Sequence, residues 1–314
     1  LFTTTTGGYN IAIGGSAMLS NVSGDNNVAI GYNAMYYSDN TINNTAVGYK
    51  AMFSNTTGDQ NTALGNSALY TNNTGIDNVA IGYYALRLST YGVANVGIGR
   101  DALQNNTTGN HNVSIGYRAL YTNTTGSYNI AIGSAALRNS DGAYYNVAIG
   151  YFSQYAATTA DYNTAVGFQT LYSNTTGINN VAIGYNALYA SASGNQNTAV
   201  GYAALRFNVV GNYNTAIGRM SMYYNLADYN TAVGYNSLYT NTTGFGNLGV
   251  GIQALFSNTT GNYNTALGYN ALYANSTGSY NVGIGYGALQ NVSGSNNTGV
   301  GSEGLYGPSN ISTL

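Results

Sequence analysis

The chain has 314 residues, only 5% of them charged, a net charge of −2 and no cysteine. That excludes a basic stripe to follow a phosphate backbone, a disulfide framework and a thiolate metal site. Glycine (43) and tyrosine (33) exceed ordinary globular usage, while a 44% apolar fraction with little charge argues for an ordered chain. No run approaches the roughly 18 apolar residues of a membrane-spanning helix.

The first residue is Leu1, not Met, and LFTTTTGGYN has neither the basic start nor the apolar centre of a secretory signal. A processed chain or a segment of a longer one is expected. LFTTTTG matches slots nine to fifteen of a repeat that then fills the sequence. Copies begin at Asn10, Asn27, Asn44, Asn61, Asn78, Asn95, Asn112, Asn129, Asn146, Asn163, Asn180, Asn197, Asn214, Asn230, Asn247, Asn264, Asn281 and Asn297. Fifteen intervals are seventeen residues and two are sixteen. In the short copies, from Asn214 and Asn281, the missing residue is expected after slot ten, marking a turn there.

The consensus is N-[T/V]-A-[V/I]-G-Y-x-A-L-Y-x-N-T-T-G-x-Y. Slots two to five alternate branched and small residues, and period two predicts an extended strand. Slot four is always Ile, Val or Leu and is expected to fill the coil interior, as Ile30, Val47, Ile81, Ile115, Ile149, Ile183 and Ile217. Slots three and five then make a side-chain-poor face, with Ala29, Gly31, Ala46, Gly48, Ala80, Gly82, Ala182 and Gly184 as a close-packing interface. The slot-five glycine also reads as a corner residue, and both roles are compatible.

Slots eight and nine read as a second short strand, with Leu69, Leu120, Leu188 and Leu272 pointing inward beside slot four. Gln154 departs from that pattern, and its coil also carries Ala157 and Ala160 in the turn, so it is read as either a packing defect or a ligand notch. Slots twelve to fifteen, NTTG, are a tight turn with glycine at positive φ; Thr41, Ala143 and Ala160 replace that glycine. Tyrosine dominates slots six and ten, so Tyr32, Tyr49, Tyr83, Tyr117, Tyr185 and Tyr202 form a candidate surface contact ladder. After Tyr306 the repeat yields to GPSNISTL, with the only proline, Pro308, which divides the chain into a repeat array over 1–306 and a tail or handover segment over 307–314.

One coil buries too few apolar groups to offset the entropy of fixing seventeen residues, at ~1–2 kcal/mol each. The coils must therefore stack and share backbone hydrogen bonds. The expected fold is an all-β parallel β-solenoid of about eighteen coils, roughly 85 Å long at the strand spacing.

The phrase NVAIGY at 27–32, 78–83 and 180–185 resembles the head repeats of trimeric autotransporter adhesins. NTAVGYNSLYTNTTG at 230–244 looks like arrays in tail-fibre-like bacterial and phage proteins. The resemblance covers residues 1–306 and implies parallel β-rolls packed three chains side by side, at a cell or virion surface.

Little in the sequence supports catalysis. His111 is the sole histidine and stands in a turn slot, as do Asp25, Asp59 and Asp141, where a carboxylate bonds backbone. The acidic residue that each nonapeptide of a calcium-binding β-roll carries does not recur here. Gly97 and Gly99 belong to a repeat-derived G-x-G fragment without a helix to hold phosphate. Neither enzyme chemistry nor a cofactor is expected. Asn-x-Ser/Thr triplets recur at the turn and offer candidate glycosylation at Asn55, Asn106, Asn123, Asn174, Asn241, Asn258 and Asn275, beside the plainer reading that NTTG is good turn chemistry.

The leading reading is a non-enzymatic extracellular fibre segment, a homotrimer that touches receptors or glycans. The alternatives are a subunit that polymerises end to end, or a monomeric ice- or glycan-binding solenoid; slot two is expected to point inward, which weighs against threonine rows that meet ice.

Overall fold

The computed structural model describes residues 7–302, and the chain divides into two compact units, 1–161 and 162–314. The start LFTTTT and the tail 307–314 lie outside the described residues. Both units are all-β parallel solenoids, about 17 turns in total, and no helix occurs among the described residues. Each coil contributes one three-residue strand from slots two to four: nine from Ile11–Ile13 to Val147–Ile149 in the first unit, nine from Thr164–Val166 to Thr298–Val300 in the second. Equivalent slots pair in parallel, for example Ala29 with Ala46 and Ala182 with Ala199. The sixteen-residue coil keeps this register, with Thr215 opposite Thr231.

Slots eight and nine are not a strand. Slots seven and nine adopt left-handed backbone, as at Asn33 (φ 55°) and Met35 (φ 49°), or Asn186 (56°) and Leu188 (50°), and this bends the chain sharply. Left-handed geometry costs roughly 1–2 kcal/mol for an L-residue. It is offset by ties to both neighbouring coils: Asn33 N–H donates to the Gly15 carbonyl and Met35 N–H to the Ala51 carbonyl. Among the described residues a second, three-stranded parallel sheet occurs in the first unit only, from Tyr37–Ser38, Ser54–Asn55 and Thr71–Asn72.

The strand faces are the reverse of the sequence expectation. Slot three points inward: Ala29, Ala46, Ala80 and Ala182 are fully buried. Slots two and four point outward, with Ile30 and Ile149 36% exposed, Ile183 40% and Ile217 41%, and Val47, Ile81 and Ile115 half-buried. The bore is too narrow for a branched side chain in slot four because other residues already fill it. Leu69, Leu120, Leu188 and Leu272 of slot nine lie there, fully buried as expected, beside slot-eight alanines and two rows of asparagine. Each unit has its own core of this kind.

The first asparagine row is slot one. Asn112 donates its backbone N–H (3.0 Å) and its Nδ2 (3.1 Å) to Asn95 Oδ1, and gives a second Nδ2 hydrogen to the Gly126 carbonyl (2.8 Å). Its own Oδ1 accepts the same pair from Asn129. The second row is slot twelve, where Asn123 Nδ2 donates to Asn106 Oδ1 (3.0 Å) and to Gly126 O (3.0 Å). These amides satisfy the backbone of the turns inside a buried core, where an unpaired group is costly.

The slot-five glycines have φ between 126° and 139° at Gly31, Gly48, Gly82 and Gly184. A Cβ on Gly31 would lie 2.4 Å from the Gly48 carbonyl oxygen, and one on Gly184 2.6 Å from that of Gly201. The close approach foreseen for these glycines is therefore to the next coil of the same chain. Slot-fifteen glycines do not take positive φ, contrary to expectation; they are glycine for space. A Cβ on Gly109 would sit 2.3 Å from both Asn106 Oδ1 and Gly126 O. The replacements Thr41, Ala143 and Ala160 each accompany a shorter slot-twelve residue, Ser38, Ser140 and Ala157, which removes the first of those two contacts.

The residue missing from the short coils lies between slots twelve and fifteen, not after slot ten. Asn225 Nδ2 reaches the carbonyl of Ala227, two residues on, where full-length coils span three. In the other short coil Val292 is buried in the slot-twelve place.

Candidate interaction surfaces

Three faces remain for contact. The first is the outward row of slots two and four. Across the copies these slots hold only Thr, Val, Ile and Leu, never a charged residue. They are partly exposed in every described coil, from half-buried Val47 through Leu64 at 47% to Val300 at 71%. Slot two is thus outward as well, which corrects the inward placement that had weighed against threonine rows; Thr198, Thr215 and Thr231 are successive partners on this face.

The second face carries slots six, seven and ten. Tyr32 stacks on Tyr49 at 5.8 Å between ring centroids, and Tyr185 on Tyr202 at 5.2 Å with planes 5° apart. Tyr32, Tyr49, Tyr83, Tyr117, Tyr185 and Tyr202 are all 42–56% exposed. Sequence reasoning missed what interrupts the column. All seven Lys and Arg residues stand here against rings. Arg100 lies between Tyr83 and Tyr117 (5.8 Å from each centroid), and Arg138 between Tyr121 and Tyr155 (5.7 Å from each). A guanidinium is flat and takes the place of a ring in the stack. The consensus repeat shows tyrosine in these slots; the signal was that each cation replaces or adjoins it.

Donation of its hydroxyl hydrogen to Tyr84 holds the Tyr83 phenol above its ordinary value, and partial burial, then Tyr224, does the same for Tyr239. A raised phenol pKa means the unfolded chain ionises first. The stability this carries is fully present below pH about 10 and lost as the pH rises through the folded values. The melting temperature, read by calorimetry over a pH series, is expected to hold steady towards that limit and fall beyond it.

The third face is the turn edge of slots thirteen to seventeen. Asp59 Oδ1 accepts the Ile42 N–H (2.7 Å), and Asp25 accepts the Gly8 N–H in the same way. Asp141 accepts the Thr124 hydroxyl. These carboxylates tie neighbouring coils together. His111 is exposed and stacks on Tyr128 at 5.0 Å. Among the described residues no three His, Cys, Asp or Glu side chains gather to hold a metal ion, and no helix is long and apolar enough to cross a membrane.

The candidate glycosylation sites are overturned. Asn55, Asn106, Asn123, Asn174, Asn241, Asn258 and Asn275 are fully buried, and each Nδ2 donates to the slot-fifteen carbonyl of its own turn. A sugar on that nitrogen would displace the bond and find no space. Gln154 is also buried, its Nε2 donating to Asn146 Oδ1 (3.0 Å). With Ala157 in slot twelve, its amide lies among the asparagine rows, so the coil is a local repacking of the core.

The chain matches no protein-family model and no curated protein.

Proposed function

We propose that the chain is a non-enzymatic extracellular structural segment, a shaft or head of tail-fibre or adhesin type that gives reach, rigidity and surface attachment. Copies pack side by side through the slot-two and slot-four rows. The observation that carries this reading is an outward apolar row, repeated coil after coil and free of charge. Such surfaces on stable folds are usually covered by a partner, and interface centres are depleted in charged residues. The contact moves from the Ala/Gly face, now inside the coil, to Val28, Ile30, Thr45 and Val47 and their equivalents. Three copies about one axis follow the adhesin-head resemblance and close the apolar rows completely. The aromatic face then remains outside for contact with glycans or receptors.

Sedimentation equilibrium tests this. Three chains of 32.7 kDa, at a mass independent of concentration, are expected. Mass that grows without limit favours the end-to-end filament, and a stable monomer removes the reading. A second reading rests on the outward threonines: a monomer that shows thermal hysteresis would be an ice-binding solenoid.

A further inference from the structure

The aromatic face is uneven, and its irregularity is concentrated in the first unit. Four of the seven cations, Arg87, Arg100, Arg118 and Arg138, stand in four successive coils there. The carboxylate on this face is Asp101, whose side chain is 6% exposed beneath Arg118 (Nε to Oδ2 3.3 Å) and Arg100 (3.6 Å). Asp101 grips the Nε edge of each guanidinium, which orients the arginine and leaves the patch three charges positive in a chain of net charge −2.

Within this patch one rung of the slot-six column is absent. Tyr117 and Tyr151 occupy slot six two coils apart, and the coil between them has Ser134 in slot six and Ala135 in slot seven. The gap is a depression of about 250 Å³ lined by Tyr117 and Arg118 (5.1 Å from that ring's centroid), by Arg138, and by Tyr151 with Phe152 edge-on to it at 4.2 Å. Arg118 also lines the adjoining depression of about 240 Å³ with Arg100 and Tyr83. Two coil spacings separate equivalent rungs by about 9.6 Å. A single ring placed midway would lie about 5 Å from either tyrosine, the separation at which rings of this protein stack.

We propose that this missing rung is a subsite for an acidic glycan, in which a pyranose ring takes the place of the absent tyrosine and its anionic substituent meets Arg118 and Arg138. A sugar ring presents C–H groups to both aromatic faces, and a carboxylate or sulfate accepts the guanidinium hydrogens. A neutral sugar would leave the positive charge unmatched. The proposal rests on the attachment role inferred above and specifies its ligand class.

Ser134→Tyr restores the consensus rung, so it should fold while closing the gap; unchanged circular dichroism and melting confirm this. Polygalacturonate is expected to bind the wild-type chain in 0.15 M salt, and neutral dextran not to. Ser134→Tyr and Arg118→Gln should each weaken binding at least tenfold. Dextran sulfate binding with the same dependence on Ser134 counts equally in favour and assigns a sulfate as the anion. Equal binding by Ser134→Tyr, equal binding of dextran, or no binding of either polyanion overturns the subsite. Chain mass measured on the same samples separates the two claims: a three-chain mass without glycan binding removes only the subsite, whereas a monomer removes the shaft.

Discussion

Asn112→Asp is expected to lower stability by about 4 kcal/mol at neutral pH, the cost of a buried charge with broken partners. The substitution changes one atom pair, and shape is kept. Asn112 Nδ2 is a donor to Asn95 Oδ1 and the Gly126 carbonyl; a carboxylate oxygen there faces two acceptors in a fully buried site. Burial would raise this carboxyl's pKa, because the neutral acid is tolerated and can still donate. Its penalty is therefore least below the unfolded value, near pH 4, and grows as the pH rises. Urea denaturation at pH 4 and 7 reads the difference, together with amide exchange in the coils on either side. A variant with the wild-type midpoint at pH 7 would show that the asparagine rows do not hold the stack.

Gly116→Ala should be of similar size, also about 4 kcal/mol, from a different cause. Gly116 has φ 128°, which L-residues rarely adopt, and a Cβ would lie 2.7 Å from the Gly133 carbonyl oxygen. The neighbour is backbone and belongs to the next coil, so relief requires parting two coils. In a stack held by nearest-neighbour contacts the damage stays local. Fast amide exchange and protease cleavage near residues 112–133, with slow exchange retained in the other unit, is the expected pattern. Ser134→Ala, on the exposed side of the same coil pair, should leave both readouts unchanged.

The period, the parallel in-register strands of slots two to four and the buried slot-nine leucines were legible because each follows from repetition and backbone geometry. The direction of the strand faces was not. Alternation separates two sets of residues without saying which set is inside, and large apolar side chains such as Ile30 and Ile183 were assigned inward by size. In a bore already shared by Leu188 and two asparagine rows, only Ala182 fits. The restriction of slot three to Ala, Gly and Ser signalled a volume limit of that kind. Asparagine was legible as a turn former in slot twelve but not as an internal ladder, because its polarity suggests a solvated corner; inside the coil each amide is satisfied by the slot-fifteen backbone of its own turn, as at Asn174, and in many coils also by an asparagine of the next. The arginines on the tyrosine column were scattered singly in sequence, and only the stacking of coils brings four of them together.

The outward rows and their closure by other copies can be tested most directly with single cysteines, since the chain has none of its own. Cysteine at Ile183 should react slowly with a maleimide in the assembled protein and form inter-chain disulfides on mild oxidation, while cysteine at Tyr185 in the same strand-to-turn segment labels at once. If cysteine at Ile183 labels as fast as cysteine at Tyr185 and no inter-chain bridge forms, the apolar rows face water and copies of the chain do not pack through them.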